Sequence, residues 1–200
     1  MRRSRWLACV ARRVVACLAA CVPVVGCAST TVTVTPSPQA PVCDARAAAL
    51  VLWAPEWRPD QKDVPDREAA AAAGLDEFFR RSGCFARVEL RRVMDLTPAS
   101  VSPEVAAATG DGPFDVLVAI AVRELGPVVE LLASPALVDG GTEVVLQVSS
   151  WVPPSAAQPR VFMVHWQNGG PGVVKGVASL PQDVQEALAA GLLRGGAAPS

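Results

Sequence analysis

The chain has 200 residues, enough for one ordinary domain that encloses its own core without a structural metal or a dense disulfide framework. Its net charge of −1 conceals an asymmetry: Arg2, Arg3, Arg5, Arg12 and Arg13 supply five of the 18 bases and no acid accompanies them, so from residue 27 onward 13 bases face 19 acids. That excess of acid argues against nucleic acid as a partner and against electrostatic capture by anionic lipid.

After the basic start, residues 14–26 form an uncharged run, VVACLAACVPVVG. Its 13 residues suit the apolar centre of an export signal and fall short of the roughly 20 that span a bilayer. The run ends in Val24-Val25-Gly26-Cys27. An aliphatic residue, a small or aliphatic one, Gly or Ala, then Cys resembles the lipobox of bacterial lipoproteins. The resemblance implies that residues 1–26 are a signal peptide, removed together with Cys9, Cys17 and Cys21. It further implies a diacylglyceryl group on the Cys27 thiol, palmitate-type acylation of the new amine, and attachment to a membrane through these lipids. Each buried CH₂ contributes about 0.8 kcal/mol, and two or more chains hold stably where one does not. The competing readings are an ordinary cleaved signal with an incidental cysteine, or an uncleaved anchor. Ala28 stands where Asp commonly marks inner-membrane retention. By that resemblance the address is the periplasmic face of the outer membrane in a Gram-negative cell, and the outside of the single membrane in a Gram-positive one.

Residues 28–42, ASTTVTVTPSPQAPV, carry no charge and are rich in Thr, Ser and Pro, which suits an extended linker of the lipidated Cys27. The alternation from Thr31 to Thr35 suits an edge strand as the alternative. A single domain is expected over 43–196. Residues 47–53 are a short apolar run stopped by Pro55, a buried strand. A helix follows from Asp66, whose side chain can cap free amides, to Ser82, with Leu75, Phe78 and Phe79 on its core face and Gly83 ending it. Residues 85–93 alternate, Ala86, Val88 and Leu90 against Arg87, Glu89 and Arg91, as in a half-exposed strand. Residues 95–113 suit a loop with one helical turn around 104–108, and 114–122 a central strand buried on both faces. Gly126-Pro127 should interrupt it. Asp139-Gly140-Gly141 reads as the turn of a hairpin between 128–138 and 142–152, and 168–172 as a turn between strands 160–167 and 173–178. Ser179 and Gln182 fit a capping box that opens a last helix, 180–194, with Val184, Ala187, Leu188 and Leu192 inward.

This order predicts an α/β fold, one mixed β-sheet of five to six strands with two main helices packed on one face. The strand ending at Trp53, the helix to Phe79, the strand from Phe85 and Asp115 opening the central strand resemble small envelope lipoproteins. The families are the curli-secretion and penicillin-binding-protein-activator lipoproteins, the TolB amino-terminal domain and the auxiliary lipoproteins of ABC-type transporters. The pattern selects none of them and carries over no functional residue.

Cys43 and Cys84 each precede one of the first two strands. If those strands are parallel, both lie at the same end of the sheet, and an oxidising compartment favours a disulfide; free thiols or pairing with a partner are the alternatives. His165 is the only histidine, so any catalytic histidine must be this one. It reads as a strand residue with no nucleophile elbow nearby, and Ser149 and Ser150 are the serines to weigh. Asp60, Asp63 and Asp66 have the oxygen chemistry for calcium but lack a binding-loop pattern, and helix capping with solvation is the simpler account. Residues 168–172 lack the lysine and hydroxyl of a phosphate loop. No metal site, cofactor or catalytic set is expected. Trp57, in a Pro-rich loop, is the tryptophan expected to be exposed and the candidate contact for an envelope protein partner. The leading function is therefore a non-catalytic binding or assembly module of the cell envelope. A periplasmic enzyme and a glycan or small-ligand binder of the cell wall are the alternatives.

Overall fold

Two segments are apolar at nearly every position, and they form the centre of the sheet. In the computed structural model, which describes residues 28–97, 113–131, 138–152, 158–171 and 173–194, they are β2 (Asp44–Pro55) and β4 (Val116–Leu131). Residues 49–54 and 116–122 are buried without a break, as in strands covered on both faces. The other strands are β1 (Ser29–Thr35), β3 (Phe85–Arg92), β5 (Val138–Trp151) and β6 (Arg160–Pro171). The six form one sheet in the order β1-β6-β5-β4-β2-β3. β2 runs parallel to β3 and β4, and the remaining pairs are antiparallel, so the sheet is mixed as expected.

Helices α1 (Val64–Arg81) and α2 (Leu180–Leu188) lie on one face. α1 buries Ala70, Ala71, Gly74, Leu75, Phe78 and Phe79, the expected stripe at helical spacing. α2 buries Val184, Ala187 and Leu188, and Leu192 follows in a wider turn, Ala189–Leu193. These side chains join Val51, Ile120, Leu146, Val164 and Trp166 in the main core. The two helices touch at Gly74, where a Cβ would stand 2.7 Å from both the Pro181 carbonyl oxygen and Val184 Cβ. Gly83, at φ +64°, takes the left-handed step after α1.

Several local expectations give way to longer strands. Within 28–42, expected to be an extended linker, residues 29–35 pair antiparallel with β6 as the edge-strand alternative has it. The alternation is the cause: Val34 is buried and Val32 packs against the core, while Thr31, Thr33 and Thr35 face solvent. Gly126-Pro127 does not end β4, because the strand absorbs the irregularity in a bulge between Val122 and Glu124 and resumes pairing. Asp139-Gly140-Gly141 and Asn168–Pro171 are not turns. They pair with one another in the extended β5 and β6, with Gly141 opposite Gly169, where the absence of side chains lets the backbones approach. Residues 173–178 form no strand; a tight turn, Val177–Ser179, leads into α2.

The helix starts also differ. α1 begins at Val64, two residues before Asp66, after Asp63 in the left-handed region at φ 54° and with no side-chain cap. Ser179 forms no capping box; its hydroxyl bonds the Gly176 carbonyl at 3.1 Å and Asp183 Oδ2 at 3.0 Å. Lys175 Nζ meets the other Asp183 oxygen at 2.9 Å, so this buried carboxylate, 2% exposed, has a cation and a hydroxyl. Removing one partner of such a pair strands the other. Lys175→Met should lower unfolding free energy by about 2–3 kcal/mol, the smaller end because the lysine is partly solvated. In urea titrations Lys175→Met/Asp183→Leu should recover most of that loss.

Cys43 and Cys84 stand at the same end of the parallel β2–β3 pair and are joined by a disulfide, with Cα atoms 4.6 Å apart. The last turn ties to the same place, since the amides of Val42 and Cys43 donate to the Leu192 carbonyl. The leader, Cys27 and the helical turn expected around 104–108 lie outside the described residues. Among the described residues no helix is long and apolar enough to cross a membrane.

Candidate interaction site

The described residues cover the face of the sheet opposite the helices over part of its width. Over β2 and β4, Leu50, Leu52, Leu117 and Ala119 are buried under Val93, Leu96, Phe114 and Trp151. Over β5, β6 and β1 the described residues supply no such layer. There the pairing sets side chains in rows across three strands: Thr31, Gln167 and Glu143; then Thr33, His165 and Val145; then Thr35, Met163 and Gln147. These residues are half-buried or exposed, whereas Val144, Leu146, Val164 and Trp166 between them point to the helices and are buried.

His165 Nε2 meets Glu143 Oε1 at 2.5 Å, and Gln167 Nε2 donates to the same oxygen at 3.5 Å. The serines weighed as nucleophiles are elsewhere. Ser149 lies opposite Val161, four residues along β6 from His165 and so about 13 Å away, and Ser150 points to the opposite face by alternation. The hydroxyl opposite His165 is Thr33, on the exposed edge strand.

The bulge in β4 opens a cleft of about 440 Å³ beside these rows, lined by Glu56, Trp57, Arg58, Arg123, Glu124, Glu143 and Val145. Each carboxylate in it is engaged. Glu124 takes Arg58 at 2.8 Å, Arg67 at 3.6 Å and the Gln61 amide at 3.1 Å, and Glu56 takes Arg123 at 3.0 Å. Arg67 also donates to the Leu125 carbonyl, which fastens α1 to the strand just beyond the bulge. Arg58 and Arg123 stand on the rim of the cleft at 67% and 47% side-chain exposure.

Trp57 is half-buried rather than exposed: its ring packs against the main core, and its buried Nε1 has no hydrogen-bond partner among the described residues. Trp53 and Trp166 are buried and Trp151 is half-buried, so among the described residues no indole stands free as a stacking platform for a sugar. An unmade hydrogen bond on a buried donor costs about 1–3 kcal/mol. Trp57→Phe should therefore unfold in urea within about 1 kcal/mol of the native chain, while Trp57→Ala, which also gives up ring packing, should lose about 2 kcal/mol or more. Asp60, Asp63 and Asp66 gather no site: among the described residues no group of three or more His, Cys, Asp or Glu could hold a metal ion.

Trp57 and His165 stand out in the sequence, whereas Glu143, Arg123, Glu124 and Arg67 do not. The alternation of Glu143, Val145 and Gln147 against Val144, Leu146 and Val148 signals a polar outer face. The bulge that aims Arg123 and Glu124 has no signal in composition or spacing.

Compared in sequence, the chain matches no protein-family model and no curated protein. Solved structures that resemble it include the PelC dodecamer from Paraburkholderia phytofirmans, at 16% identity, TM-score 0.43, over 80% of this chain and 95% of that one. Another is the lipoprotein GNA1162 from Neisseria meningitidis, at 16% identity, TM-score 0.39, over 71% and 95%. A third is a neuraminyllactose-binding hemagglutinin homologue from Helicobacter pylori, at 13%, TM-score 0.36, over 74% and 83%. Likeness at this level carries no argument about what this chain does.

Proposed function

We propose that this chain is a lipid-anchored, non-catalytic binding or assembly module of the bacterial cell envelope, which receives a partner protein on the open part of its sheet. The observation that supports it best is the asymmetry of one face: the described residues seal that side of the sheet over β2 and β4 and supply no such layer over β5, β6 and β1. The exposed rows offer amides, hydroxyls, one paired histidine and the half-buried Met163 and Val145. Such a mixed surface suits a protein contact, whose rim is polar and whose centre is apolar. The leader and Val24-Val25-Gly26-Cys27 supply the anchor in this reading.

The test is site-specific photo-crosslinking in intact envelopes. A crosslinker at Met163, on the open face, should give a discrete adduct that a crosslinker at the exposed Arg80 of α1 does not. Adducts of equal yield and mass from both positions would mean that the open face receives no specific partner.

A further inference from the structure

We infer that the cleft beside the open rows receives a basic side chain, arginine or lysine, from the partner protein, with Glu143 as its anion. This rests on the reading that a partner meets the open face, and it names the contact that holds it there. Three carboxylates line the cleft. Glu124 engages both oxygens with Arg58, Arg67 and Gln61, and Glu56 holds Arg123. Glu143 differs. Its contacts with the His165 ring and the Gln167 amide both fall on Oε1, and among the described residues Oε2 has no partner. All 13 arginines and lysines from residue 27 onward lie within the described residues, and none forms an ion pair with Glu143. The register is the reason. β6 sets the neutral Gln167 opposite Glu143, and Arg67 is turned to Glu124 and the Leu125 carbonyl instead.

Glu143 has 24% side-chain exposure, so its carboxylate is partly withdrawn from water. A cation that reaches Oε2 gains a charge-assisted hydrogen bond in a lower dielectric than bulk solvent. Val145 and Trp57 supply apolar wall in the same cleft, whose volume of about 440 Å³ has room for one long side chain. A methylene stem can lie along such a wall while its charged tip meets the anion, and an aromatic ring adds attraction for the cation. The exposed rim arginines, Arg58 and Arg123, suit the opposite occupant, an acidic side chain. Each already has a carboxylate, Glu124 at 2.8 Å and Glu56 at 3.0 Å, with which an incoming acid would compete. A base at Glu143 Oε2 displaces nothing. The field of the chain has the same sign, since from residue 27 onward 13 bases face 19 acids, which steers a basic surface toward it.

The experiment uses the full chain purified from envelopes in detergent, with fluorotryptophan in place of tryptophan. It follows the fluorine resonance of Trp57, assigned by its loss in Trp57→Phe. Titration with Nα-acetylarginine amide should shift that resonance saturably and leave that of the buried Trp166 in place. Glu143→Gln keeps the shape and removes the charge. It should weaken the response several-fold, with an unchanged Trp166 resonance reporting an intact fold. No saturable shift, an equal response in Glu143→Gln, or a stronger one with Nα-acetylglutamate amide overturns the basic occupant, the last in favour of an acidic one on Arg58 and Arg123. In intact envelopes Glu143→Gln should also lower the yield of the Met163 crosslink several-fold. A yield left unchanged overturns the role of the cleft and leaves the open face standing. No Met163 adduct in the native chain overturns the partner reading itself, and the occupant of the cleft with it.

Discussion

Gly74→Leu should lower the melting temperature by about 10 °C or more, the expected consequence of losing several kcal/mol in a domain of this size. A Cβ at this position would stand 2.7 Å from a backbone oxygen, that of Pro181, and 2.7 Å from Val184 Cβ. Neither is the tip of a flexible side chain, so relief requires α2 to move away from α1. Since Val184 and Leu188 of α2 are fully buried in the main core, that movement opens the core as well. Overpacking of this kind costs about 1–3 kcal/mol for a few atoms and more for a whole side chain. Gly74→Ala gains about 1 kcal/mol in helix propensity and should still come out destabilised. Ala73→Leu, one residue away and exposed, should stay within about 0.5 kcal/mol of the native chain. Thermal unfolding of the three variants separates the helix–helix contact from propensity. A Gly74→Leu protein as stable as Ala73→Leu would contradict the packing described here.

Replacing the disulfide by Cys43→Ala/Cys84→Ala should cost up to about 4 kcal/mol, the chain-entropy figure for a loop of this length. The cysteines are 41 residues apart, and the loop they close holds β2 and α1. Most of the effect lies in the unfolded chain, which the bridge keeps compact. The variant should therefore show both a lower urea midpoint and a steeper slope, since its unfolded state exposes more surface. Cys84 is fully buried, so dithiothreitol should open the bridge slowly in the native protein and quickly in urea. A midpoint unchanged between the oxidised protein and the double variant would mean that the bridge adds nothing to the strand–helix–strand unit.

Much of this fold is legible in the sequence, and the reasons are local. The unbroken apolar runs of β2 and β4 announce central strands, and Leu75, Phe78 and Phe79 announce the buried face of α1. What misleads is the glycine and proline punctuation. Gly126-Pro127, Asp139-Gly140-Gly141 and Asn168–Pro171 have turn composition but lie within strands, because neighbouring strands pair through them and a bulge takes up the misfit. Local turn preference is worth about a kilocalorie or two per site, and long antiparallel pairing outweighs it. Residues 29–35 show the reverse. Their weak Thr-Val alternation becomes a strand only because β6 presents a free edge, something no window of sequence contains. The candidate site was legible to the same degree: Trp57 and His165 stand out by rarity, but their surroundings depend on the register of β5 and on the bulge. Trp57 is anchored against the core by its ring, although its Pro-rich loop suggests exposure.

Intact-mass analysis of the protein extracted from membranes tests the lipid at Cys27, and with it the envelope role, most directly. The expected polypeptide begins at Cys27, carries acyl chains on that residue and retains the Cys43–Cys84 bridge. A soluble chain that still begins at Met1, with Cys27 unmodified, would contradict it.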